Sequence, residues 1–214
     1  MSNDMDYKEI TRRSYDLVAK DYSERDKTLV AETNEVQAAL EDFSSRLPIR
    51  ASVLDVGSGG GRDSRFFFEK GFVVTGIDFS SEMVVRAKNE EPGIDYRVMD
   101  FEAIDFPAGS FDGIWANASL HHIPRNHLPA VLRNLERILK SSGLFFMIVK
   151  HGVEEGIRRN KKFGREIERH FSFYQPEELK AAVQRAGFRV LSASLAVEGE
   201  WVYLLAQKTE KSLN

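Results

Sequence analysis

The chain has 214 residues, of which 42% are hydrophobic and 29% charged, and its formal net charge is −3. That length and balance fit one well-buried α/β domain, and the mild acidity argues against a protein that binds nucleic acid mainly through charge. The absence of cysteine excludes disulfides, thiolate zinc sites and a cysteine nucleophile. No apolar run reaches the roughly 18 residues of a membrane span, and the first residues lack the pattern of a signal peptide. We therefore expect a cytoplasmic protein with no membrane partner.

Residues 1–46 predict two helices. Between residues 7 and 25, apolar and aromatic side chains recur at the spacing of one helix face: Tyr15, Val18, Ala19 and Tyr22. A second helix is predicted over about 29–46, ending before Leu47-Pro48. Because both helices precede the first strand, we expect them to dock on the following domain or to close over it.

Strands and helices alternate beyond residue 50. The predicted strands are 52–56, 72–77, 94–98, 111–116 and 144–149, and the predicted helices are 62–70, 81–89 and 126–139. Repeated βα units of this kind require a mostly parallel sheet with helices on both faces.

The last third of the chain starts with a polar insert and ends in two strands. A helix is predicted over 176–186, and two strands over 188–197 and 201–207, joined by a short Gly-containing connection typical of a β-hairpin. Residues 209–214 should fray. The predicted fold class is α/β: a single doubly wound, mostly parallel seven-stranded sheet with a C-terminal antiparallel hairpin. We expect one domain over 1–214, with lid or docking helices in 1–46 and a lid-like insert in 151–174.

A glycine-rich loop follows the first predicted strand. The sequence over 53–61 is Val-Leu-Asp-Val-Gly-Ser-Gly-Gly-Gly, and the next strand ends on Asp78. Glycines let backbone amides approach a ligand closely, and an acid about 20 residues further on accepts hydrogen bonds from ribose hydroxyls. The pair predicts a site for an adenosine-bearing molecule; the alternative is a tight turn that binds nothing.

The spacing of the loop disfavours a dinucleotide. A Gly-x-Gly-x-x-Gly fingerprint would need glycine at position 62, where this chain has Arg62. Asp55 lies at the strand end, where it would repel a pyrophosphate and suit a ligand with a positive end. An NAD-dependent dehydrogenase is therefore the weaker hypothesis.

With Asp55, Gly57, Gly59 and Gly61, the loop resembles the first motif of the class I S-adenosylmethionine-dependent methyltransferases, acid-x-Gly-x-Gly-x-Gly. The resemblance covers about residues 10–208 and implies a Rossmann-like fold with S-adenosylmethionine as cofactor and no metal. It also implies that Asp100 and the amide of Phe101 read the adenine. The residues expected to bind the cofactor are Asp55, Gly57, Ser58, Gly59, Gly61, Asp78, Phe79, Met83, Asp100, Phe101, Asn117 and Tyr22.

Several of these residues have a second interpretation. Met83 would pack on the adenine face or belong to the core. Tyr15 and Tyr22 resemble the lid helix of the family, which shuts water out, but they would also suit a docking helix. Asp63 opens the helix after the glycine loop, where a carboxylate caps backbone amides.

His121 and His122 follow the fourth predicted strand, beside the place of the methyl group in the family. An imidazole there would accept a proton or orient an acceptor, and we predict both as candidate catalytic residues. The alternative is that one packs under a helix and the other caps a loop.

The insert carries a basic run, 158–165, flanked by acidic residues. This pattern favours a solvated helix face over a nucleic-acid site. A substrate lid is the alternative, in which Phe171, Phe173 and Tyr174 would line an acceptor pocket rather than anchor the insert to the core.

Together these features predict an S-adenosylmethionine-dependent methyltransferase that moves a methyl group to an O, N, S or C acceptor of a small molecule. One alternative is a transfer-RNA wobble-uridine-type methyltransferase, which the net charge disfavours. Another is a non-catalytic protein that binds an adenosyl ligand. The acceptor and the oligomeric state stay open.

Overall fold

The structure, a computed structural model, describes residues 4–26 and 33–210. Its helices are α1 (Asp4–Asp26), α2 (Asn34–Ser45), α3 (Arg62–Glu69), α4 (Ser81–Glu90), α5 (Leu128–Ile138) and α6 (Pro176–Arg185), with a single 3₁₀ turn over Leu120–His122. Its strands are β1 (Ser52–Val56), β2 (Val73–Asp78), β3 (Asp95–Val98), β4 (Phe111–Asn117), β5 (Leu139–Lys150), β6 (Glu155–Lys162), β7 (Arg165–Ser172), β8 (Phe188–Ala196) and β9 (Trp201–Lys208).

Seven of these strands form one sheet in the order β3-β2-β1-β4-β5-β9-β8. Strands β1 to β5 are parallel, and β9 pairs antiparallel with both β5 and β8. The predicted fold class is therefore confirmed, including the C-terminal hairpin. None of the described helices combines the length and the apolar character that crossing a bilayer would require.

The helices cover both faces of the sheet. On one face, apolar side chains of α5 and α6 pack against residues such as Leu54 and Val56 of β1. On the other face, α2, α3 and α4 pack against Val53 and a buried aromatic group in which Trp115 and Phe146 stack with ring centroids 4.4 Å apart. Successive residues of a strand point to opposite faces, so β1 needs apolar residues on both sides, which Val53, Leu54 and Val56 provide.

The strand order reverses at β1, whose neighbours β2 and β4 lead the chain away in opposite directions. In open α/β sheets, ligands bind at such a reversal, outside the carboxyl ends of the strands. Asp55, Asp78 and Asn117 lie at these ends of β1, β2 and β4. The topology thus gathers residues that are far apart in sequence.

The insert is not the solvated helix that its charges suggested. Strands β6 and β7 form a separate two-stranded antiparallel sheet, with Phe163 and Gly164 at its turn, both at positive φ (50° and 77°). Two consecutive residues at positive φ give the type of turn that matches the twist of a hairpin. Charged residues meet across the strands, as in the 2.6 Å contact between Arg159 and Glu168. The high helix propensity of Lys, Arg and Glu is overridden by pairing between the strands.

Helix α1 supplies hydrogen-bond partners to the outer edge of β7. The Ser14 hydroxyl donates to the carbonyl of Glu168 (2.5 Å) and accepts from its N–H (3.0 Å), and the Thr11 hydroxyl accepts from the N–H of His170 (3.0 Å). Two helical hydroxyls therefore replace a missing neighbouring strand. A two-stranded hairpin is marginal alone, so the docking of α1 and the existence of the hairpin depend on each other.

Some predicted boundaries differ from the observed ones. Helix α2 begins at Asn34, where the Thr33 hydroxyl accepts from the N–H of Val36, while residues 29–32 of the predicted helix lie outside the described residues. Strand β5 starts at Leu139 rather than 144. Of the predicted frayed tail, 211–214 also lie outside the described residues.

Replacing Ser14 should loosen α1 from the hairpin. In Ser14→Ala both backbone groups of Glu168 lose their partner in a partly buried contact, so we expect a loss of about 1 kcal/mol in the free energy of unfolding. Urea denaturation measures this change. The matched control is Ser45→Ala, whose exposed hydroxyl bonds only within its own helix; equal effects of the two substitutions would contradict the proposed coupling.

Candidate active site

A cavity of about 360 Å³ opens at the carboxyl edge of the sheet, between the strand ends, α1 and the β6–β7 hairpin. Its size suits a small-molecule ligand. The predicted site residues on its lining are Tyr22, Asp55, Gly57, Ser58, Gly59, Asp78, Phe79, Met83, Phe101, Asn117, His121 and His122.

Two predicted cofactor residues, Gly61 and Asp100, are not on the lining. A Cβ at Gly61 would lie 2.3 Å from the hydroxyl of Tyr96, so this glycine permits close packing between α3 and the sheet. The Asp100 carboxylate accepts from Lys8 of α1 (2.7 Å) and from the N–H of Glu102 (2.8 Å). Asp100 therefore ties α1 to the loop after β3.

The glycine loop exposes its backbone to the cavity. Gly57 and Gly59 have φ values of +75° and +53°, which side chains disfavour. A Cβ on Gly57 would lie 2.3 Å from Cβ of Ser119, whereas a Cβ on Gly59 meets no atom within 4 Å. The first glycine thus permits close packing with the turn after β4, and the second leaves space for a ligand.

Asp78 holds the loop in place. One carboxylate oxygen accepts from the N–H of Gly59 (2.9 Å), and the other accepts from the N–H of Ser80 (2.8 Å). Burial raises the pKa of Asp78 to about 6, although these backbone donors oppose the shift. Each oxygen retains acceptor capacity for a ligand hydroxyl.

Asp63 is the centre of a buried polar network. Its carboxylate accepts from Arg62, from the indole of Trp115 and from the amide of Asn117, each at 2.8 Å. Burial alone would raise its pKa, but the Arg62 guanidinium and these donors lower it below the ordinary value. Asp63 is therefore more than the helix cap that its position suggested.

Asp55 is buried beside this network, and no Lys or Arg of the described residues forms an ion pair with it. The Ser64 hydroxyl donates to it at 2.6 Å. Burial and the negative charge of Asp63 raise the pKa of Asp55 well above its usual range. A cation in the cavity would favour the ionised carboxylate, so this strand end suits a positively charged ligand.

His122 is fixed as a neutral ring. Its Nδ1 lies 2.6 Å from the carbonyl of His170, which can only accept, so Nδ1 carries the proton. Its Nε2 must then accept from the hydroxyl of Tyr15, 2.6 Å away. Burial and the charge of Arg169 lower the pKa of His122 to about 3. Both nitrogens are occupied, so His122 anchors Tyr15 and is poorly suited to act as a base.

His121 is arranged differently. Its Nδ1 is buried without a hydrogen-bond partner, and its ring stacks on Phe171 with centroids 5.3 Å apart. Burial lowers its pKa well below the ordinary value. It is a neutral group on the lining with unused hydrogen-bonding capacity, which suits it to orient an acceptor.

The cavity roof joins α1 to the hairpin. The ring of Tyr22 meets that of Phe163 edge to face, with centroids 5.0 Å apart. Phe171 lies on the cavity lining, whereas Tyr174 is part of the core. The hairpin therefore lies along one side of the cavity, and its role as a substrate lid stays a prediction.

The lining also fits the adenosyl cofactor that the motif implies. The hydroxyls of Ser58 and Ser119 are buried on it without partners, which is unusual for polar atoms in a folded protein. Ala118, between Asn117 and Ser119, has a φ of +53°, a strain that clusters at functional sites. Within 4–26 and 33–210, no three His, Asp or Glu side chains come together to hold a metal.

A family model described as a methyltransferase domain matches residues 29–193. The chain belongs to the class I S-adenosylmethionine-dependent methyltransferases. The resemblance inferred from the glycine loop is thereby confirmed, and with it the cofactor class.

Curated relatives of this methyltransferase are about one-third identical to it. The 27-O-demethylrifamycin SV methyltransferase of Amycolatopsis mediterranei is 32% identical over 73% of this chain and 64% of its own length. The ubiquinone biosynthesis O-methyltransferase of Xanthomonas axonopodis pv. citri is 32% identical over 76% and 73%. The malonyl-[acyl-carrier protein] O-methyltransferase of Enterobacter lignolyticus is 33% identical over 52% of this chain, and the match spans only 45% of that relative.

Two solved structures share the methyltransferase fold over nearly the whole chain. A DhpI–SAH complex gives a TM-score of 0.76 at 23% identity, over 95% of this chain and 97% of that one. The 1,6-didemethyltoxoflavin-N1-methyltransferase of Burkholderia thailandensis gives 0.72 at 21% identity, over 98% and 92%. At this identity the likeness concerns the fold.

The lining residues of this methyltransferase that sequence reasoning missed include Asp63 as a network centre, Lys150, Arg169 and Trp201. The position of Asp63 after the glycine loop was a visible signal. Lys150 and Trp201 meet only because β5 and β9 pair, and Arg169 is on the hairpin that was predicted as a helix.

Neutralising Asp55 should stabilise the ligand-free protein in a pH-dependent way. A carboxyl whose pKa is raised on folding costs stability as the pH rises above its unfolded value, and a tenfold change in its acid dissociation constant corresponds to about 1.4 kcal/mol. We expect Asp55→Asn to match the wild type near pH 4 and to exceed it by more than about 1 kcal/mol at pH 9.

Urea denaturation across this pH range measures the difference. The control is Asp105→Asn, which removes an exposed carboxylate. A stability difference for Asp55→Asn that is independent of pH would show that the charge of Asp55 is not penalised.

Proposed function

We propose that this protein transfers a methyl group from S-adenosylmethionine to a small-molecule acceptor. The observation that carries this proposal is the single cavity lining shared by the glycine loop, Asp55 and Asp78. A loop that binds nothing would have no reason to leave space above Gly59 or to bury unpartnered hydroxyls beside it.

We assign a part of the cofactor to each region of the lining. Asp78 would accept hydrogen bonds from the ribose, as its unused acceptor capacity allows. Phe79 and Phe101, whose rings are 6.2 Å apart, would flank the adenine with Met83. Gly57 and Asn117, close to Asp55, would hold the methionine end, whose positive charge Asp55 complements.

Bound S-adenosylmethionine supplies a methyl group already activated by a positive sulfur. The protein must therefore position the acceptor and exclude water, and a proton-accepting residue is needed only for an acceptor that arrives protonated. Tyr15 and Tyr22 of α1 close one side of the cavity, and Phe171 of β7 closes another. We propose His121 as an orienting residue and His122 as the anchor of the lid helix.

Three observations support a small-molecule acceptor. Aromatic side chains form part of the cavity lining, and the formal net charge is −3. The curated relatives above are named for 27-O-demethylrifamycin SV, ubiquinone biosynthesis and malonyl-[acyl-carrier protein]. A transfer RNA would need an extended basic surface.

The direct test is incubation with methyl-labelled S-adenosylmethionine and a library of small metabolites, with bulk transfer RNA as the competing acceptor. We expect label in a small molecule and release of S-adenosylhomocysteine. Label in transfer RNA would favour the wobble-uridine alternative, and tight cofactor binding without transfer to any acceptor would favour a non-catalytic binding protein.

Removing the Asp78 carboxylate should weaken cofactor binding. We expect Asp78→Ala to lose about 1–3 kcal/mol in calorimetric titration with S-adenosylhomocysteine, the scale for lost hydrogen bonds to a buried charged acceptor. Asp100→Ala is the matched comparison, since Asp100 follows the neighbouring strand but does not line the cavity. A larger loss for Asp100→Ala would reverse the two assignments.

A side chain at Gly59 should block the site. Gly59→Val places its side chain in the open space beside the loop, so we expect no measurable binding of S-adenosylhomocysteine. Gly109→Val is the control, because Gly109 also has a positive φ (+68°) and no atom within 4 Å of an added Cβ, but lies outside the cavity lining. If both variants lose the same amount of folded structure and the same amount of S-adenosylhomocysteine binding, backbone strain and not occlusion of the cavity would explain the loss.

A further inference from the structure

Arg169 is a buried cation on the cavity lining. It belongs to β7, and only 7% of its surface is exposed. No Asp or Glu oxygen within the described part of the chain lies within 4 Å of its guanidinium, although an exposed arginine of the same hairpin, Arg159, pairs with Glu168. Buried charges are normally paired because leaving water is costly. A buried cation without a carboxylate beside a cavity therefore needs a reason.

Not all N–H donors of the Arg169 guanidinium have a hydrogen-bond partner. Nη1 donates to the hydroxyl of Tyr15 at 3.1 Å, Nη2 reaches the side-chain oxygen of Asn160 only at 3.5 Å, and the hydroxyl of Tyr22 is a further hydrogen-bond partner. Nε is buried and has no partner. Nε and Nη2 share one edge of the planar group, so this edge carries two N–H donors and faces no charged acceptor. Such an edge matches the two oxygens of a carboxylate.

The surroundings of Arg169 are aromatic. Its guanidinium lies over the ring of Phe171, 5.0 Å from the centroid. Phe171 stacks on His121, and the ring of Trp201 is 5.6 Å from that of His121. These flat surfaces suit a planar or apolar body that carries the anionic group.

Charge is divided across the cavity. The carboxylates of Asp55, Asp63 and Asp78 lie around the glycine loop, on the side assigned to the positively charged cofactor. Arg169, Lys150 and Lys162 belong to strands β7, β5 and β6 on the other side, whereas Arg62 and Arg25 are paired with Asp63 and Asp26. Lys150 is engaged by Glu200 at 3.1 Å and by the ring of Trp201, and Lys162 lies over the rings of Tyr22 and Phe163. Arg169 is distinguished from them by a buried N–H, at Nε, that has no partner.

We propose that Arg169 is the specificity-determining residue of this cavity and binds the carboxylate of the acceptor, a small organic acid with a flat apolar body. This inference rests on the proposed function, since it concerns the acceptor of the same site. A phosphate ester fits less well, because the flat two-donor edge of a single guanidinium matches the two oxygens of a carboxylate and would leave the second negative charge of a phosphate unmatched on that edge.

The test compares acids with neutral molecules of the same shape. Benzoate and benzamide form one pair, and cinnamate and cinnamamide form a second. Each is titrated by calorimetry into the full-length protein saturated with S-adenosylhomocysteine. We expect at least one acid to bind about tenfold or more tightly than its amide. If neither acid binds better than its amide, the inference is overturned.

Variants assign the preference to Arg169. Arg169→Met keeps a long apolar stem and should reduce the acid-to-amide ratio to within about twofold. Arg169→Lys keeps the charge but loses the planar edge, and should retain only part of the ratio. Arg159→Met, the same change in the same hairpin but outside the lining, should leave the ratio unchanged. A full preference in Arg169→Met would overturn the inference, and if that variant does not fold, a full preference in Arg169→Lys would do so.

The same titrations separate this inference from the proposed function. If the wild type does not bind S-adenosylhomocysteine, the proposed function fails and the inference fails with it. If it binds S-adenosylhomocysteine but shows no acid preference, the inference alone is overturned.

Discussion

Strand β1 pairs in parallel with β2 on one side and with β4 on the other, and the site depends on this arrangement. Parallel strands end at the same edge, so Asp55, Asp78 and Asn117 are brought together without any long-range recognition between their side chains. The chain leaves these strands in opposite directions, and the gap between the connections becomes the cavity. Hydrogen bonds between the loops then hold the gap open, as Asp78 does by accepting from the N–H of Gly59.

Several buried polar and charged groups on the cavity lining lower the stability of the folded protein. Asp55 is buried beside a second carboxylate, Arg169 is buried without a carboxylate partner, and the hydroxyls of Ser58 and Ser119 make no hydrogen bond. None of these arrangements helps the protein fold. Each becomes favourable when a ligand of the matching charge or polarity enters. These groups lower the free energy of unfolding in the absence of a ligand, and a bound molecule would raise it, as expected of a preorganised site.

The sequence allowed the sheet to be predicted, and with it most of the residues that line the glycine-loop side of the cavity, because their signals are local. Glycines in a loop, an acid at the end of the next strand and repeated βα units need no knowledge of distant contacts. The hairpin could not be predicted in this way. Its Lys, Arg and Glu residues favour a helix locally, and the strand form is stabilised by cross-strand pairs and by Ser14 and Thr11, about 150 positions earlier in the chain. Arg169 was missed because the residues around it are gathered only once that hairpin exists.

The hydroxyls of Ser14 and Thr11 in α1 also protect the edge of β7 from pairing with another chain. A displacement of α1 away from the hairpin would separate Ser14 from Glu168 and Thr11 from His170, and would so expose backbone donors and acceptors of β7. An exposed strand edge readily pairs with another chain. A ligand that holds α1 against the hairpin would therefore also reduce association between molecules through this edge.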